Sequence, residues 1–438
     1  MKKKILLAIL IIVVLLGVGV TYAYFATDTF KSNKEMFFSY LSDGLKNKEL
    51  EEYIKKQEKE SYTNKGNIKI SASGEDNELN ADTTQMLNNG KITFEGKVNN
   101  GKKLAEQTVT VESAEGINIP VKVRRDGDKL GLQSNLLNNK FIAIKNENLK
   151  SLVERFDINS EEIPDKIDFE GKQFTEDELK TLKDRYVSIL SENLEEELFS
   201  KEKVEGQIIV TLNVSEKKCS EILVKILETL REDDIILNKI SDVVDKDEFK
   251  ENINDEIDEI KDINSSESNT LCIKVYISSK DVKKVEIILN DVDENKTIGQ
   301  LEITKDQNEK DLTYVVKANG ESEDGEEVSI DFKVQYKNIS ELNNVEENYE
   351  IKLKTKDDED NVEISLNYTN LKTFNTDVEI EGINNDNSTI VNDASDDELN
   401  DLLMTIYKKL GLMDEEDSKD TYGSDEEDSM MSFFQNEF

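Results

Sequence analysis

The chain has 438 residues, with 96 acidic against 56 basic side chains and a formal net charge of −40. Such a field repels phosphate backbones and excludes nucleic acid as a partner. With no histidine, no tryptophan and two cysteines, the Ser-His-Asp and Cys-His nucleophiles, His-ligated zinc or haem and Cys-rich zinc sites are excluded too.

Lys2, Lys3 and Lys4 precede residues 5–26, which read ILLAILIIVVLLGVGVTYAYFA and carry no charge. As a helix, this segment covers a hydrocarbon core of about 30 Å. Thr21-Tyr22-Ala23 offers a cleavage tripeptide with the cut after Ala23. The long aliphatic run and the belt of Tyr22, Tyr24 and Phe25 favour a retained transmembrane helix instead. The lysines then place residues 1–4 in the cytoplasm and the bulk outside. Residues 27–66 read as membrane-proximal helices, with Phe30, Met36, Phe37, Tyr40, Leu41 and Leu45 at helical spacing.

From residue 67 the period changes to two. Ile68 and Ile70, then Ile92, Phe94 and Val98, then Val109 and Val111 predict half-buried strands. Asp126-Gly127 predicts a type I′ hairpin turn, and a short helix follows residue 146. Thr175 and Glu178 form a capping box ahead of Leu179, Leu182, Tyr186, Ile189, Leu190 and Leu194 on one helical face. A single strand, GQIIVTLNV, precedes two more amphipathic helices and closes a first unit at residues 67–264. Residues 265–412 hold a second meander and a final helix capped by Ser395 and Glu398. Its clearest strand alternates Val328, Ile330, Phe332, Val334 and Tyr336. Tyr349, Ile351 and Leu353 are expected to pair with Val362, Ile364 and Leu366. Residues 413–438 form an acidic tail expected to be disordered; its end, MMSFFQNEF, reads as a docking peptide or a frayed terminus.

The fold class that follows is α+β, with both meanders in one large, curved antiparallel sheet and helices on one face. Two tandem α+β modules are the competing arrangement. The meanders, the RRDGDKLGL hairpin and the helices between strands resemble the LolA/LppX-like half-barrel of bacterial envelope proteins over residues 67–410. The layout also looks like anchored proteins of unknown function from clostridia-type Gram-positive bacteria. The resemblance implies an apolar concavity beneath helices that cradles acyl chains. It carries no ligand residue over.

Candidate sites are few. Asp291, Asp293, Asn295 and Glu302 stand at EF-hand-like spacing for calcium, but Lys296 occupies the position where the turn needs glycine. Cys219 and Cys272 would pair in an exported protein if a helix covered the sheet face that bears Cys272. Otherwise they are separate buried thiols. Ser215 and Lys218 match S-x-x-K, and Ser215 reads better as a helix cap. No cofactor is expected, and nothing in the sequence points to an enzyme. The expected role is a single-pass anchored envelope protein that binds a lipid-like or apolar ligand. The alternative is a surface module whose acidic body engages an envelope protein.

Overall fold

The computed structural model describes residues 32–75, 81–112, 118–135, 137–155, 163–167, 174–241, 244–262, 270–291, 295–321, 327–356, 361–374 and 377–410. The expected membrane span at residues 5–26 and the tail at residues 413–438 lie outside them. Among the described residues no helix is long and apolar enough to cross a membrane.

Among the described residues sixteen strands form one sheet, so both meanders share it. The first meander comprises β1 (Tyr62–Glu75), β2 (Lys91–Asn99), β3 (Leu104–Glu112), β4 (Asn118–Asp126), β5 (Lys129–Ser134) and β6 (Asn138–Lys145). The second comprises β7 (Phe199–Val204), β8 (Gln207–Ser215), β9 (Thr270–Ser278), β10 (Asp281–Asp291), β11 (Lys296–Gln307), β12 (Leu312–Glu321), β13 (Glu327–Lys337), β14 (Asn344–Lys356) and β15 (Asn361–Phe374). β1 joins the two: it pairs with β2 on one side and, over its whole length, with β15 on the other. The sheet is antiparallel except where β16 (Ser388–Ile390) runs parallel to β6 at one edge. β7, at the opposite edge, is short and exposes Lys201, Glu202 and Lys203, a charge pattern that discourages edge-to-edge pairing.

Nine α-helices lie among the described residues. They are α1 (Asn33–Asp43), α2 (Lys48–Lys59), α3 (Ala81–Asn89), α4 (Leu149–Glu154), α5 (Glu176–Asn193), α6 (Glu216–Arg231), α7 (Asp234–Ile240), α8 (Lys246–Asp262) and α9 (Asp396–Leu410). The main core forms where Met36 and Phe37 of α1, Tyr186 and Leu190 of α5, and Ile222 and Ile226 of α6 meet Leu271, Ile273, Val275 and Ile277 of β9. α8 adds an outer layer through Ile257 and Ile260 against Leu223 and Leu227. Tyr53 of α2 packs on Leu312, Ile339 and Val345. At the far end, Leu149 and Leu152 of α4 and Leu399 of α9 cover Ile142 and Ile144 of β6. Following the strand register from β6 to β9 places all three of these contacts on one face of the sheet.

Several local expectations change. GQIIVTLNV is the second strand of the β7–β8 hairpin, closed by Glu205 and Gly206 at positive φ. At the β4–β5 turn only Gly127 has positive φ (59°), whereas a type I′ turn needs it at both central residues. α3 was not foreseen, because ADTTQMLNN has little apolar periodicity. Its Asn88 substitutes for a strand where β1 runs past β2, accepting from the Ala72 N–H at 2.8 Å and donating to the Ala72 carbonyl at 2.9 Å. Both Thr175–Glu178 and Ser395–Glu398 boxes form as expected. Ile351 faces Leu366 and Leu353 faces Ile364, while Tyr349 lies opposite Tyr368.

Candidate functional site

Strict alternation gives the middle of the sheet one apolar face and one polar face. On the apolar face, cross-strand rows run Phe332–Ile351–Leu366–Ile70 and Tyr349–Tyr368–Ile68–Ile92–Val111–Ile119. These residues belong to none of the buried clusters of the described chain. Their exposure reaches 44% at Val111, 43% at neighbouring Ile330, and 37% at Ile351 and Leu353. Among the described residues the helical cover thus ends at α2 on one side and at α4 and α9 on the other, with α3 only bordering β1 at Ala72. Between them lies a contiguous apolar surface, of a kind that monomeric proteins keep for ligands, partners or membranes.

An aromatic belt borders this surface. Phe94 stacks on Tyr368 at 5.4 Å and 19°, and Tyr368 contacts Tyr349 at 5.1 Å. Tyr349 meets Tyr336 at 6.4 Å, and Tyr336 meets Tyr53 of α2 at 6.1 Å. Gly66 makes the stacking feasible. A Cβ there would lie 2.5 Å from the Phe94 ring, so the ring lies across the space a side chain would fill.

At the end of the belt sits Glu347, 4% exposed. It accepts from the Tyr53 hydroxyl at 2.9 Å, from Asn370 Nδ2 at 2.9 Å and from Lys372 Nζ at 3.1 Å. Burial first, then the Glu347 carboxylate, raises the hydroxyl pKa values of Tyr53 and Tyr349 above the usual tyrosine range. The same two causes push Tyr368 up to about 12. All three stay neutral at physiological pH, and Tyr53 donates its proton to Glu347. Next to this centre, Asn64 Oδ1, Gln107 Nε2 and Asn370 Oδ1 are closed from solvent and have no hydrogen-bond partner. A buried polar atom left this way costs about 1–3 kcal/mol. The apolar surface therefore has a polar end with unmet hydrogen-bonding capacity.

The opposite face is polar. A groove of about 730 Å³ opens over β1, β2, β3 and β15, lined by Lys65, Asn67, Thr93, Thr108, Thr110 and Thr369 among others.

The residues singled out from the sequence fall elsewhere. Asp291 ends β10 and faces Lys296, the first residue of β11. From there β11 runs extended to Glu302, about 20 Å along the strand, where the carboxylate pairs with Lys284 at 3.2 Å. Asn295 lies in the turn at φ 50°, and Asp293 lies outside the described residues. Asp291 and Glu302 are thus not brought together, and no metal-holding cluster of acidic or cysteine side chains occurs among the described residues.

Cys219 and Cys272 are both free thiols. Of the two alternatives, separate thiols are seen: α6 packs on the Leu271–Ile277 side of β9, while alternation turns Cys272 to the other side. Burial pushes the Cys219 thiol up to about 12 and also raises Cys272. Native protein treated with iodoacetamide at pH 8 is accordingly expected to keep Cys219 unmodified, with two alkylations after denaturation without reductant. An intact mass showing a disulfide would contradict this placement. Ser215 caps α6 through the Lys218 N–H at 3.3 Å, and Lys218 pairs with Glu195 at 3.0 Å, so S-x-x-K is here a cap.

Sequence reasoning missed Glu347, Asn64, Gln107 and Asn370. Glu347 is one of 96 acidic residues. The one usable signal was its place at an inward position of an alternating strand, next to Val345 and Tyr349.

No family model and no curated protein matches the chain. Among solved structures the chain is similar to one described as "The Structure of Intact Ap-TbpB (N and C lobes)". The two are 9% identical, with 72% of this chain and 77% of that chain covered and a TM-score of 0.12, too low to carry an argument.

Proposed function

We propose that this is a membrane-attached extracytoplasmic binding protein whose uncovered apolar sheet face holds the acyl part of an amphiphile. The observation that carries the reading is the bare stretch of aliphatic and aromatic side chains between α2 and α4, with four of its residues at least 37% exposed. Rows of Ile, Leu and Val at strand spacing suit an extended hydrocarbon chain, each buried methylene contributing about 0.8 kcal/mol. The unpartnered Asn64, Gln107 and Asn370 atoms at the end of the belt suit the polar head. The acyl-cradling half-barrel offers the architectural analogy. Residues 5–26 would hold the sheet near the bilayer from which such a ligand comes.

The test is lipid extraction and mass spectrometry on the full chain isolated from its own membranes into lipid discs. A defined lipid is expected in excess over the disc composition. Ile351→Glu places a charge on the open face and is expected to reduce that excess at least tenfold, about 1.4 kcal/mol or more. Ile54→Glu, at a 48% exposed position of α2, is expected to leave it unchanged. Absence of any enriched lipid from the unsubstituted chain would overturn the reading.

A further inference from the structure

The chain leaves its last described helix at the border of the open apolar face. α9 packs near β6 through Leu399, and its last turn reaches the end of β5, where Lys409 Nζ donates to the Asn135 carbonyl at 3.3 Å. Asn135 follows Ser134, which lies opposite Val121 of β4, and Val121 lies opposite Val109 of β3. From β5 the sheet runs four strand spacings to β1 and six to β14, about 19 and 29 Å. Residues 411–429 span up to about 65 Å when extended. Residues 430–438 therefore reach any part of the open face.

Those residues read MMSFFQNEF, five of nine being Met or Phe, and they follow a run from 414 to 428 with nine acidic side chains and one lysine. Met430, Phe433, Phe434 and Phe438 fall at i, i+3, i+4 and i+8, the spacing of anchors that an amphipathic helix lays into an apolar groove. Thioether and phenyl groups also suit the aromatic belt of Phe94, Tyr368 and Tyr349, because both pack favourably against aromatic rings. The cross-strand rows of the open face carry no charged side chain, and the segment brings only Glu437. Charge selects this occupant over a second copy. Two bodies of net charge −40 repel each other. A segment on a tether of this length instead acts at an effective concentration on the order of millimolar. The same field repels the acidic run, which leaves residues 430–438 as the part suited to the sheet.

We infer that residues 430–438 dock on the open apolar face of β1, β2, β14 and β15 and occupy it when no acyl chain is bound. Lipid and the chain's own segment then compete for one surface. The competition rests on the acyl-binding reading, whereas the docking does not. For the test, Phe434 is replaced by the photo-cross-linker p-benzoylphenylalanine, and the full chain is irradiated in lipid discs and its adducts mapped by mass spectrometry. Intrachain adducts are expected around Ile68, Ile92 and Ile351, and added oleate is expected to lower their yield about threefold or more by competition. Met430→Ser with Phe433→Ser and Phe438→Ser keeps the tether but removes the anchors, and is expected to lower the yield about tenfold. Absence of adducts on the sheet, adducts that join two copies, or a yield indifferent to the anchors would each overturn the docking. Intrachain adducts that respond to the anchors but not to oleate would uphold the docking and overturn the acyl-binding reading instead.

Discussion

Replacing Glu347 by alanine is expected to lower the stability of the chain by about 3–5 kcal/mol, the range for a buried ion pair that loses one member. The carboxylate joins α2 to β14 and β15 through Tyr53, Asn370 and Lys372, and Lys372 makes a second link to α2 through Gln57. Without it the Tyr53 hydroxyl and Asn370 Nδ2 lose acceptors in a closed environment. Lys372, whose side chain is 13% exposed, keeps Gln57 Oε1 at 2.8 Å and the Tyr53 and Tyr62 rings but no carboxylate among its described contacts. Glu347→Gln should cost less, since the amide oxygen still accepts one hydrogen bond. Tyr53→Phe should cost about 1–3 kcal/mol by leaving one lone pair of the buried carboxylate unanswered. Urea denaturation of the three variants measures these differences. A loss below about 1 kcal/mol for Glu347→Ala would show that α2 is held by its apolar contacts alone.

The second large effect is expected at Asp233, whose side chain is fully enclosed. It pairs with Arg185 of α5, accepts from the Tyr186 hydroxyl at 3.1 Å, and caps α7 through the Ile235 and Ile236 N–H groups at 3.1 and 3.4 Å. One carboxylate thus fixes the junction of two helices over the main core. Asp233→Ala should cost about 2–4 kcal/mol, because the buried Tyr186 hydroxyl loses its acceptor and α7 its cap, while Arg185, 38% exposed, is rehydrated. Asp233→Asn separates the two contributions. Asparagine caps about as well as aspartate, so this variant should recover about 1 kcal/mol of the loss. Equal losses for the two variants would mean that the cap contributes nothing.

How much of this could be read from the residues follows from the range of each interaction. Val328 to Tyr336 alternates so regularly that β13 and its inward face were legible, and the Ile351–Leu366 and Leu353–Ile364 pairs followed from a short hairpin. The position of β1 was not, since its partner β15 lies some 300 residues further along the chain and alternation specifies a face rather than a neighbour. α3 escaped because it is held to the sheet by Asn88 rather than by an apolar stripe. The two-faced sheet was visible as alternation, but where its helical cover ends depends on tertiary packing. Cys272 shows the same limit, since its face was read correctly while the location of the helices decided the outcome.

The central claim is that the open apolar face is an acyl-binding surface, and location is its sharpest test. Cells expressing the full chain are fed a photoactivatable fatty acid, irradiated, and the cross-linked peptides mapped by mass spectrometry. The account predicts adducts concentrated on the apolar face of β1, β2, β14 and β15, around Ile68, Ile92, Ile351 and Leu366, and their loss with Ile351→Glu. Adducts confined to residues 5–26, with none on the sheet, would contradict it.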